Sequence, residues 1–436
     1  MSASPPKDQT GFMPPKSVAV VGLGYVGLPL AVAFADAGLV VVGFDTDPAK
    51  IESLRNGRTY IRHLPDHLVR SLNSTGRFEP TCDPLRLGTV DAIVICVPTP
   101  LTPHLAPDLS CVLDTGRAIS PHLKAGMLVV LESTTYPETT ERDLLPILES
   151  GSGLKAGLDF SLAFSPERED PGSERRGVRD VPKVIGGLTP RCTAHAESLY
   201  REIVSRTVPV SSCRVAEATK ILENVFRSVN IALINELKTI YAAMDIDIWE
   251  VIEAAKTKPF GFMAFYPGPG LGGHCIPVDP FYLTWKAKEF GRPTRFIELA
   301  GEINAAMPRY VVERVCTALN DATKPFRGAR VLVLGLAYKK NVDDDRESPA
   351  YELLHLLEEA GARCDYNDPF IPEIRPGRTH SRWAGRKSVP VVDGYDCIVL
   401  CTDHDAYRDI DFTNYASPLV DARNAVTKRP RMYYQA

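Results

Sequence analysis

The apolar positions of the chain follow two patterns. Short runs of branched and aromatic residues alternate with longer segments in which apolar residues recur every three or four positions. The short runs of the first half are Ser17 to Val21, Leu39 to Phe44, Val90 to Val97, Met127 to Leu131 and Phe160 to Phe164. Such runs, separated by helical segments, are typical of strands buried on both faces of a parallel sheet. The pattern predicts an α/β domain.

The longest helical pattern runs without proline or glycine from Cys213 to Ala243. At 1.5 Å per residue this helix is about 45 Å long. It is apolar around much of its circumference, so we expect it to join two domains and to pack against a second subunit. Lys220 and Asn224 share one of its sides and are candidates for a site. The alternative for Lys220 is an exposed ion pair with Glu217, which is close enough to reach it.

Strand and helix patterns alternate again towards the C-terminus. A helix (Ile297 to Leu319) and a linker (Thr323 to Gly328) precede a strand (Arg330 to Leu334), a helix (Pro349 to Ala360) and two strands (Arg363 to Tyr366, Cys397 to Cys401). The predicted fold class is α/β, with two Rossmann-like doubly wound domains joined by a long central helix and a helical region. We place a disordered tail at 1–16, the first domain at 17–212, the helical region at 213–322 and the second domain at 323–436.

Composition excludes several classes of protein. The 436 residues are 44% hydrophobic and 24% charged with a net charge of −4, which argues against a surface that coats nucleic acid. No apolar run reaches membrane-spanning length, and the proline-rich N-terminus is not an export signal. The ten cysteines are irregularly spaced, so we expect reduced thiols in the cytoplasm and no metal site.

A dinucleotide fingerprint follows the first strand. Gly22-Leu23-Gly24-Tyr25-Val26-Gly27 leads into a helix, and the second strand ends at Asp45. The glycines let the helix N-terminus approach a pyrophosphate, while the acid bonds the ribose hydroxyls and repels a 2′-phosphate. The expected cofactor is NAD. The residues assigned to it here are Gly22, Gly24, Tyr25, Val26, Gly27 and Asp45, with Lys50 close to the acid.

Polar residues stand at the ends of the next three strands. Thr99, Thr134 and Glu167 follow them, and ligands of open α/β sheets bind beyond the carboxyl ends of the strands. Each is a candidate by position, and Thr99 and Thr134 are assigned to the cofactor. The alternatives are loop or cap residues and, for Glu167 to Asp170, a solvated run of charges.

The segment Pro267 to Pro280 contains the candidate nucleophile, Cys275. Glycines precede it and a helix follows, with Asp279 as its N-cap, Pro280 at the first helical position and Gly291 at its end. A helix N-terminus favours the thiolate, which can hold a carbonyl carbon covalently. The alternatives are a small buried hydrophobic cysteine and an aspartate that only caps its helix.

A second, degraded fingerprint follows the strand that ends at Leu334. In Gly335-Leu336-Ala337-Tyr338-Lys339-Lys340 a lysine stands at the third glycine position. Lys339, Lys340 and Arg346 offer cations for phosphates. The alternative is a surface charge cluster.

From Ser17 onwards the chain resembles the UDP-glucose/GDP-mannose dehydrogenase family. The motifs that carry the resemblance are Gly22 to Gly27 with Asp45, Ser133-Thr134, Pro166-Glu167, Lys220 with Asn224, Gly272-Gly273 with Cys275 and Asp279, and Lys339-Lys340 with Asp345 to Ser348. The resemblance implies an N-terminal NAD domain, a central helical dimer region and a C-terminal nucleotide-sugar domain. It also implies oxidation of a sugar C6 alcohol to a carboxylate with two NAD, for precursors of surface polysaccharide.

The resemblance also implies roles for the site residues. Water held by Lys220, Asp279 and Thr134 acts as the first base, Cys275 forms a thiohemiacetal and then a thioester, and Asp279 or Glu167 activates the hydrolytic water. Lys220 and Asn224 stabilise the oxyanion. Arg346 is assigned to the cofactor. The residues assigned to the substrate are Arg168, Glu169, Lys220, Asn224, Phe265, Tyr266, Gly272, Gly273, Tyr338 and Lys339.

The stretches Ser165 to Gly172, Lys258 to Phe262 and Gly273 to Leu283 resemble the branch that oxidises UDP-N-acetylhexosamines. The expected substrate is UDP-N-acetylglucosamine, and the aromatic residues between Phe260 and Tyr266 are expected to form an apolar wall for its N-acetyl group. UDP-glucose, UDP-N-acetylgalactosamine and UDP-N-acetylmannosamine remain alternatives. Other classes are a one-step alcohol or hydroxy-acid dehydrogenase and an NAD-sensing scaffold. The expected partners are a UDP-sugar and a second copy of the chain, with neither nucleic acid nor membrane.

Overall fold

The structure is a computed structural model that describes residues 13–61, 64–102, 104, 106–168, 178–273, 276–377 and 380–436. It divides into two compact units. The first unit comprises Met1–Glu223 and Trp285–Gly291, and the second comprises Asn224–Thr284 and Arg292–Ala436. The bounds predicted for three domains are not tested by this division and stay a prediction.

The first unit is built on an eight-stranded sheet with the order β3-β2-β1-β4-β5-β6-β7-β8. Its strands are β1 (Ser17–Val21), β2 (Val40–Phe44), β3 (Phe78–Thr81), β4 (Ala92–Ile95), β5 (Leu128–Leu131), β6 (Ser161–Phe164), β7 (Lys183–Gly187) and β8 (Thr207–Val210). All pairs are parallel except β6 with β7. The strand order reverses between β1 and β4, which is where open α/β sheets bind ligands.

Helices cover this sheet on both faces. They are α1 (Gly27–Asp36), α2 (Pro48–Arg55), α3 (Asp66–Ser74), α4 (Ser110–Ile119), α5 (Leu145–Ser152) and α6 (Pro190–Tyr200), with a π-helix at Thr139–Leu144. Successive residues of β1 point into different cores: Val18 and Val20 belong to one apolar cluster, and Ala19 and Val21 to the other. Burial on both faces explains the continuous apolar runs of the sequence.

The second unit contains a five-stranded parallel sheet with the order β10-β9-β11-β12-β13. Its strands are β9 (Arg330–Leu334), β10 (Arg363–Asn367), β11 (Cys397–Leu400), β12 (Leu419–Asp421) and β13 (Tyr433–Gln435). The remaining helices of the chain are α7 (Cys213–Ala243), α8 (Ile248–Lys256), α9 (Asp279–Glu289), α10 (Arg295–Asp321) and α11 (Pro349–Glu359). The α/β prediction with two doubly wound sheets and a long central helix is confirmed.

The predicted long helix has the predicted ends, Cys213 and Ala243. One local expectation differs from the structure. Helix α9 begins at Asp279 itself, one residue before the predicted first helical position. The antiparallel pairing of β7 with β6 was not predicted, because it depends on contacts that a single run of sequence does not show. Among the described residues, every helix is too short or too polar to span a lipid bilayer.

Candidate active site

The turn after β1 has the shape that a dinucleotide phosphate group requires. Gly22 has φ of +92°, and a Cβ on it would lie 2.6 Å from the carbonyl oxygen of Cys96. A Cβ on Gly27 would lie 1.8 Å from the Gly22 carbonyl oxygen, so only glycine fits at either position. A Cβ on Gly24 would meet no atom within 4 Å, which leaves that backbone open to a ligand. The turn therefore fits the pyrophosphate of NAD.

Asp45 lies at the edge of the same turn. Its Oδ2 accepts a hydrogen bond from the Leu23 amide at 3.0 Å, and its Oδ1 accepts one from the Asp47 amide at 3.0 Å. Nζ of Lys50 lies 3.0 Å from Oδ2. The hydroxyl of Tyr60, a residue that sequence reasoning missed, donates to the Leu23 carbonyl. Asp45 and Lys50 are thus together at the predicted position of the ribose.

Thr99 and Thr134 are brought together beyond the ends of β4 and β5. Oγ1 of Thr99 donates to the carbonyl of Thr134 at 2.7 Å. The hydroxyl of Ser133 donates to the carbonyl of Val97 at 2.7 Å. Thr99 is buried and Thr134 is half-buried. The Thr99 side chain therefore holds the backbone of Thr134. The segment after β5 is thus fixed by a residue that follows the neighbouring strand, β4.

Lys220 and Glu167 are also brought together. Nζ of Lys220 donates to the backbone carbonyl of Glu167, and Lys220 is only 7% exposed. Arg168 forms an ion pair of 2.7 Å with Glu223 and donates to the carbonyl of Pro182 at 2.7 Å. The segment that carries Glu167 and Arg168 is therefore an anchored loop, and not a freely solvated run of charges. Glu169 lies outside the described residues.

The alternative for Lys220, an exposed ion pair with Glu217, is wrong. The Glu217 carboxylate accepts from the amide and hydroxyl of Thr140 at 2.9 and 2.7 Å, and from the Glu138 amide at 2.6 Å. These amides belong to the start of the π-helix, whose first amides have no partner within the helix. Glu217 therefore accepts hydrogen bonds from the first amides of the π-helix. The Lys220 ammonium instead donates to the backbone carbonyl of Glu167.

In the second unit, Asn224 and Asp279 form a buried pair. Nδ2 of Asn224 donates to Oδ2 of Asp279 at 2.5 Å, and the two side chains belong to residues that are 6% and 1% exposed. This contact orients the carboxylate at the first turn of α9. Asp279 consequently has a side-chain partner on α7, which a simple N-cap would not need. Cys275 lies outside the described residues, so its predicted thiolate stays a prediction.

The segment Pro267 to Gly273, called the glycine loop below, packs on the turn that follows β9. A Cβ on Gly272 would lie 2.6 Å from Cβ of Tyr338, and one on Gly273 would lie 2.9 Å from the Tyr338 ring. The Gly273 amide donates to the carbonyl of Arg346 at 3.1 Å. The guanidinium of Arg346 is bonded to both carboxylate oxygens of Asp344, at 2.8 and 2.6 Å. Glycine at 272 and 273 is thus required for close contact with Tyr338.

The predicted apolar wall stays a prediction. Phe260 is 71% exposed and Phe262 is 39% exposed. Phe265 packs edge-on against Phe226 at 5.8 Å, whereas Tyr266 stacks on Trp249 at 5.8 Å. Phe265 and Tyr266 keep their substrate assignment as a prediction.

In the second fingerprint the acidic residue, Asp368, makes hydrogen bonds different from those of Asp45. Gly335 has φ of +88°, as Gly22 has in the first unit. Oδ2 of Asp368, after β10, accepts from the Leu336 and Ala337 amides at 2.7 and 2.9 Å. Nε2 of His404 lies 3.1 Å from the same oxygen, and the Nδ1 atom of His404 accepts from a backbone amide. Asp368 is therefore bonded within the protein.

Family models match three consecutive parts of the chain. They are the NAD binding domain (residues 16–204), the central domain (residues 214–306) and the UDP binding domain (residues 332–428) of the UDP-glucose/GDP-mannose dehydrogenase family. The chain belongs to the UDP-glucose/GDP-mannose dehydrogenase family. It is therefore an NAD-dependent nucleotide-sugar dehydrogenase whose third part is a UDP binding domain.

Relatives within this dehydrogenase family act on different sugars. The chain is 39% identical to UDP-N-acetyl-D-glucosamine 6-dehydrogenase of Pseudomonas aeruginosa, over 91% of this chain and 92% of the relative. It is 35% identical to NDP-N-acetyl-D-galactosaminuronic acid dehydrogenase of Ralstonia nicotianae, over 93% and 95%. Its structure matches that of UDP-D-ManNAc dehydrogenase from Pyrococcus horikoshii with a TM-score of 0.87 and 33% identity, covering 96% and 98%. These names do not agree on one substrate.

Sequence reasoning missed two residues, Arg423 and Asn235, that contact Gly268 in the glycine loop of this dehydrogenase. Nη1 of Arg423 would lie 2.5 Å from a Cβ on Gly268, and its Nε donates to Asp403 at 3.3 Å. Asn235 accepts from the Gly268 amide at 3.0 Å and donates to Asn304 at 2.9 Å. Arg423 follows the end of β12, so the strand-end rule applied to Thr134 would have found it. Asn235 carries no such signal.

Proposed function

We propose that this dehydrogenase oxidises the C6 alcohol of UDP-N-acetylglucosamine to the carboxylate in two steps, through a covalent intermediate on Cys275. The observation that carries the proposal is the buried pair of Asn224 and Asp279 at 2.5 Å. Asp279 opens the helix that follows Cys275 in sequence by four residues. A one-step alcohol dehydrogenase has no need of a cysteine followed by an oriented carboxylate. The product is a nucleotide uronic acid, a precursor for surface polysaccharide.

The proposed mechanism assigns a task to each polar residue. NAD, when bound, accepts one hydride in each of the two oxidations. Water held by Lys220 and Thr134 takes the C6 hydroxyl proton in the first oxidation. The Cys275 thiolate then attacks the aldehyde carbon, and the second oxidation leaves a thioester. Lys220 and Asn224 donate to the oxygen on which negative charge develops.

Hydrolysis completes the proposed reaction. Glu167 or Asp279 takes a proton from water as the water oxygen bonds the acyl carbon. The carbon–sulfur bond breaks, and the acid and the Cys275 thiolate are released. A covalent intermediate keeps the aldehyde bound between the two oxidations. The expected stoichiometry is therefore two NADH per sugar.

The choice of sugar rests on residues and on one relative. The Pseudomonas aeruginosa relative is named for UDP-N-acetyl-D-glucosamine and spans 91% of this chain at 39% identity. Phe265, packed against Phe226, offers apolar surface to an acetyl methyl group. Loss of that contact and of an amide hydrogen bond corresponds to about 1–3 kcal/mol. UDP-glucose is thus expected to be roughly tenfold to a hundredfold less efficient.

One experiment tests both parts of this proposal. The kcat/KM of the purified protein is measured on UDP-N-acetylglucosamine, UDP-glucose, UDP-N-acetylgalactosamine and UDP-N-acetylmannosamine, and NADH is counted per product. Release of an aldehyde with one NADH would establish a one-step dehydrogenase instead. Equal or better efficiency on UDP-glucose would reject the sugar assignment and leave the chemistry standing. Cys275→Ser is expected to stop before the acid, and full turnover by it would reject the nucleophile.

We also propose a dimer built on α7. Its exposed apolar residues are Val215, Leu222, Phe226, Leu233 and Ile240, between 42% and 67% exposed. Their spacing of seven or four residues places them along one side of the helix. Leu222→Glu should yield a monomer in sedimentation velocity, whereas Leu158→Glu, at a leucine 73% exposed in the first unit, should not. A wild-type protein that sediments as a stable monomer at assay concentration would contradict the dimer.

A further inference from the structure

Two buried charged side chains, Lys183 and Glu132, lie next to Glu167 in the first unit. Nζ of Lys183 lies 2.9 Å from Oε1 of Glu132 and 3.8 Å from Oε2 of Glu167. The hydroxyl of Tyr200 donates to the same Oε1 atom. Lys183 is 6% exposed and Glu132 is 1% exposed. One ammonium group is thus held between two carboxylates where little water can screen the charges.

The one antiparallel pair of the sheet brings these residues together. Phe164 of β6 pairs with Gly186 of β7, and three residues further along the same register sets Glu167 opposite Lys183. Glu132 directly follows β5, the neighbour of β6. With a parallel β7, the start of that strand would lie at the other edge of the sheet. The topology therefore delivers a cation to the ends of two parallel strands.

The backbone on both sides of Glu167 is fixed by other contacts. The Ser165 amide donates to Leu131 at 3.0 Å, and the Ser165 hydroxyl donates to Val184 at 2.8 Å. Lys220 donates to the carbonyl of Glu167 itself. Because the backbone is fixed, the direction of the Glu167 carboxylate depends on its side-chain contacts, and Lys183, 3.8 Å away, is one of them.

We propose that Lys183, held by Glu132 and Tyr200, is a positioning residue that orients the Glu167 carboxylate for hydrolysis of the thioester. This inference rests on the proposed function. In that step the Glu167 carboxylate takes a proton from water, the water oxygen bonds the acyl carbon, and the carbon–sulfur bond breaks to release the acid and the Cys275 thiolate. Lys183 transfers no proton and touches no reacting atom. It selects one direction of the carboxylate, and Glu132 keeps Lys183 in place.

The test separates this role from a role in folding. Lys183→Met alone leaves Glu132 as a buried charge without its cation and is at risk of unfolding. The double variant Lys183→Met/Glu132→Gln removes both charges, and Lys183→Arg keeps the cation. Lys155→Met is the control, because Lys155 pairs with Glu149 on the surface of the same unit. All are mixed rapidly with UDP-N-acetylglucosamine and NAD, and NADH formation is followed through the first turnover.

The double variant is expected to form two NADH per site at nearly the wild-type rate and then to turn over about ten to a hundred times more slowly. Lys183→Arg should recover most of the steady rate, and Lys155→Met should match the wild type. An unchanged steady rate in the double variant would overturn the inference. So would an equal slowing of every step, or no recovery with arginine. A wild-type protein that forms no NADH from the UDP-sugars would instead reject the proposed function.

Discussion

Lys50 and Asp45 form an ion pair of 3.0 Å beside the phosphate turn, and the lysine side chain is 34% exposed. Because about a third of the lysine side chain is exposed to solvent, a ribose hydroxyl can replace it on the carboxylate. A 2′-phosphate would meet that carboxylate directly. Asp45 therefore favours NAD over NADP, whereas Lys50 would favour the phosphate once Asp45 is removed.

Asp45→Ala is expected to lower the NAD-to-NADP ratio of kcat/KM by about tenfold or more, since a hydrogen bond to a charged group contributes about 1.5–3 kcal/mol. Asp47→Ala is the matched control. Asp47 is an exposed acid two residues away that caps α2, so its loss should cost about 1 kcal/mol of stability and leave the ratio unchanged. Equal efficiency of the wild type with both cofactors would contradict the role of Asp45.

Asn235→Ala is expected to loosen the glycine loop. The residue is fully buried and joins the Gly268 amide to Asn304, so alanine strands a buried donor and a buried acceptor. The expected cost is about 1–3 kcal/mol in the free energy of unfolding, together with a higher KM for the UDP-sugar. Asn230→Ala, at a half-buried asparagine of α7 that donates to the carbonyl of Phe226, should change neither quantity. An unchanged KM in Asn235→Ala would show that the loop does not depend on this contact.

Lys238 predicts an unusual pH dependence of stability. Burial lowers its pKa to about 8, from 10.5 in the unfolded chain, and the residue is 2% exposed. Between these two values the unfolded state binds more protons, so stability rises with pH across that window. Below about pH 8 the folded protein carries the cost of the buried charge.

Lys238→Met should raise the free energy of unfolding at neutral pH by on the order of 1–3 kcal/mol and remove the rise above pH 8. Urea unfolding at several pH values measures both effects. Lys256→Met, at an exposed lysine, is expected to change neither. The same rise in the Lys238→Met variant would assign the pH dependence to another group.

Glu138 combines a strained backbone with three cations. Its φ of 90° is left-handed, and its carboxylate lies 2.9 Å from Lys286, 2.9 Å from Arg142 and 3.2 Å from Arg214. Alanine would keep the strain and lose the ion pairs, whereas glycine would lose the same pairs and relieve the strain.

Glu138→Gly is therefore expected to be more stable than Glu138→Ala by about 1 kcal/mol in urea unfolding. The same two substitutions at Glu141, inside the π-helix, should give the opposite order, because glycine disfavours a helical backbone. Equal stability of the two Glu138 variants would mean that the backbone relaxes once the ion pairs are lost.

Short stretches of sequence were enough to predict the main secondary-structure elements of this protein. The fingerprint turn, the ends of α7 and the strands β1 and β9 follow from periodicity, from the glycines and from branched side chains buried on both faces of a sheet. Thr99, Thr134 and Glu167 were proposed as site residues from the strand-end rule, which needs only the order of the elements.

Contacts between distant parts of the chain could not be predicted in the same way. Glu217 is three residues from Lys220, yet its carboxylate bonds amides more than seventy positions away. Lys183 lies beside Glu167 because of the direction of one strand, which no short run of sequence specifies. The ring of Phe265 packs against Phe226 of α7, a contact that the run of aromatic residues from Phe260 to Tyr266 does not specify.

The hydrogen bonds of Asp368 determine whether the second fingerprint could bind a dinucleotide. Asp45 shares its carboxylate with a lysine that solvent can reach, but Asp368 is bonded to two amides of its own turn and to a histidine that is fully buried. A ribose could not take this carboxylate without leaving Nε2 of His404 without its acceptor in the core. Replacing Lys340 with the glycine of a complete fingerprint would therefore not create a second dinucleotide site. The turn excludes that ligand through the bonds it already makes.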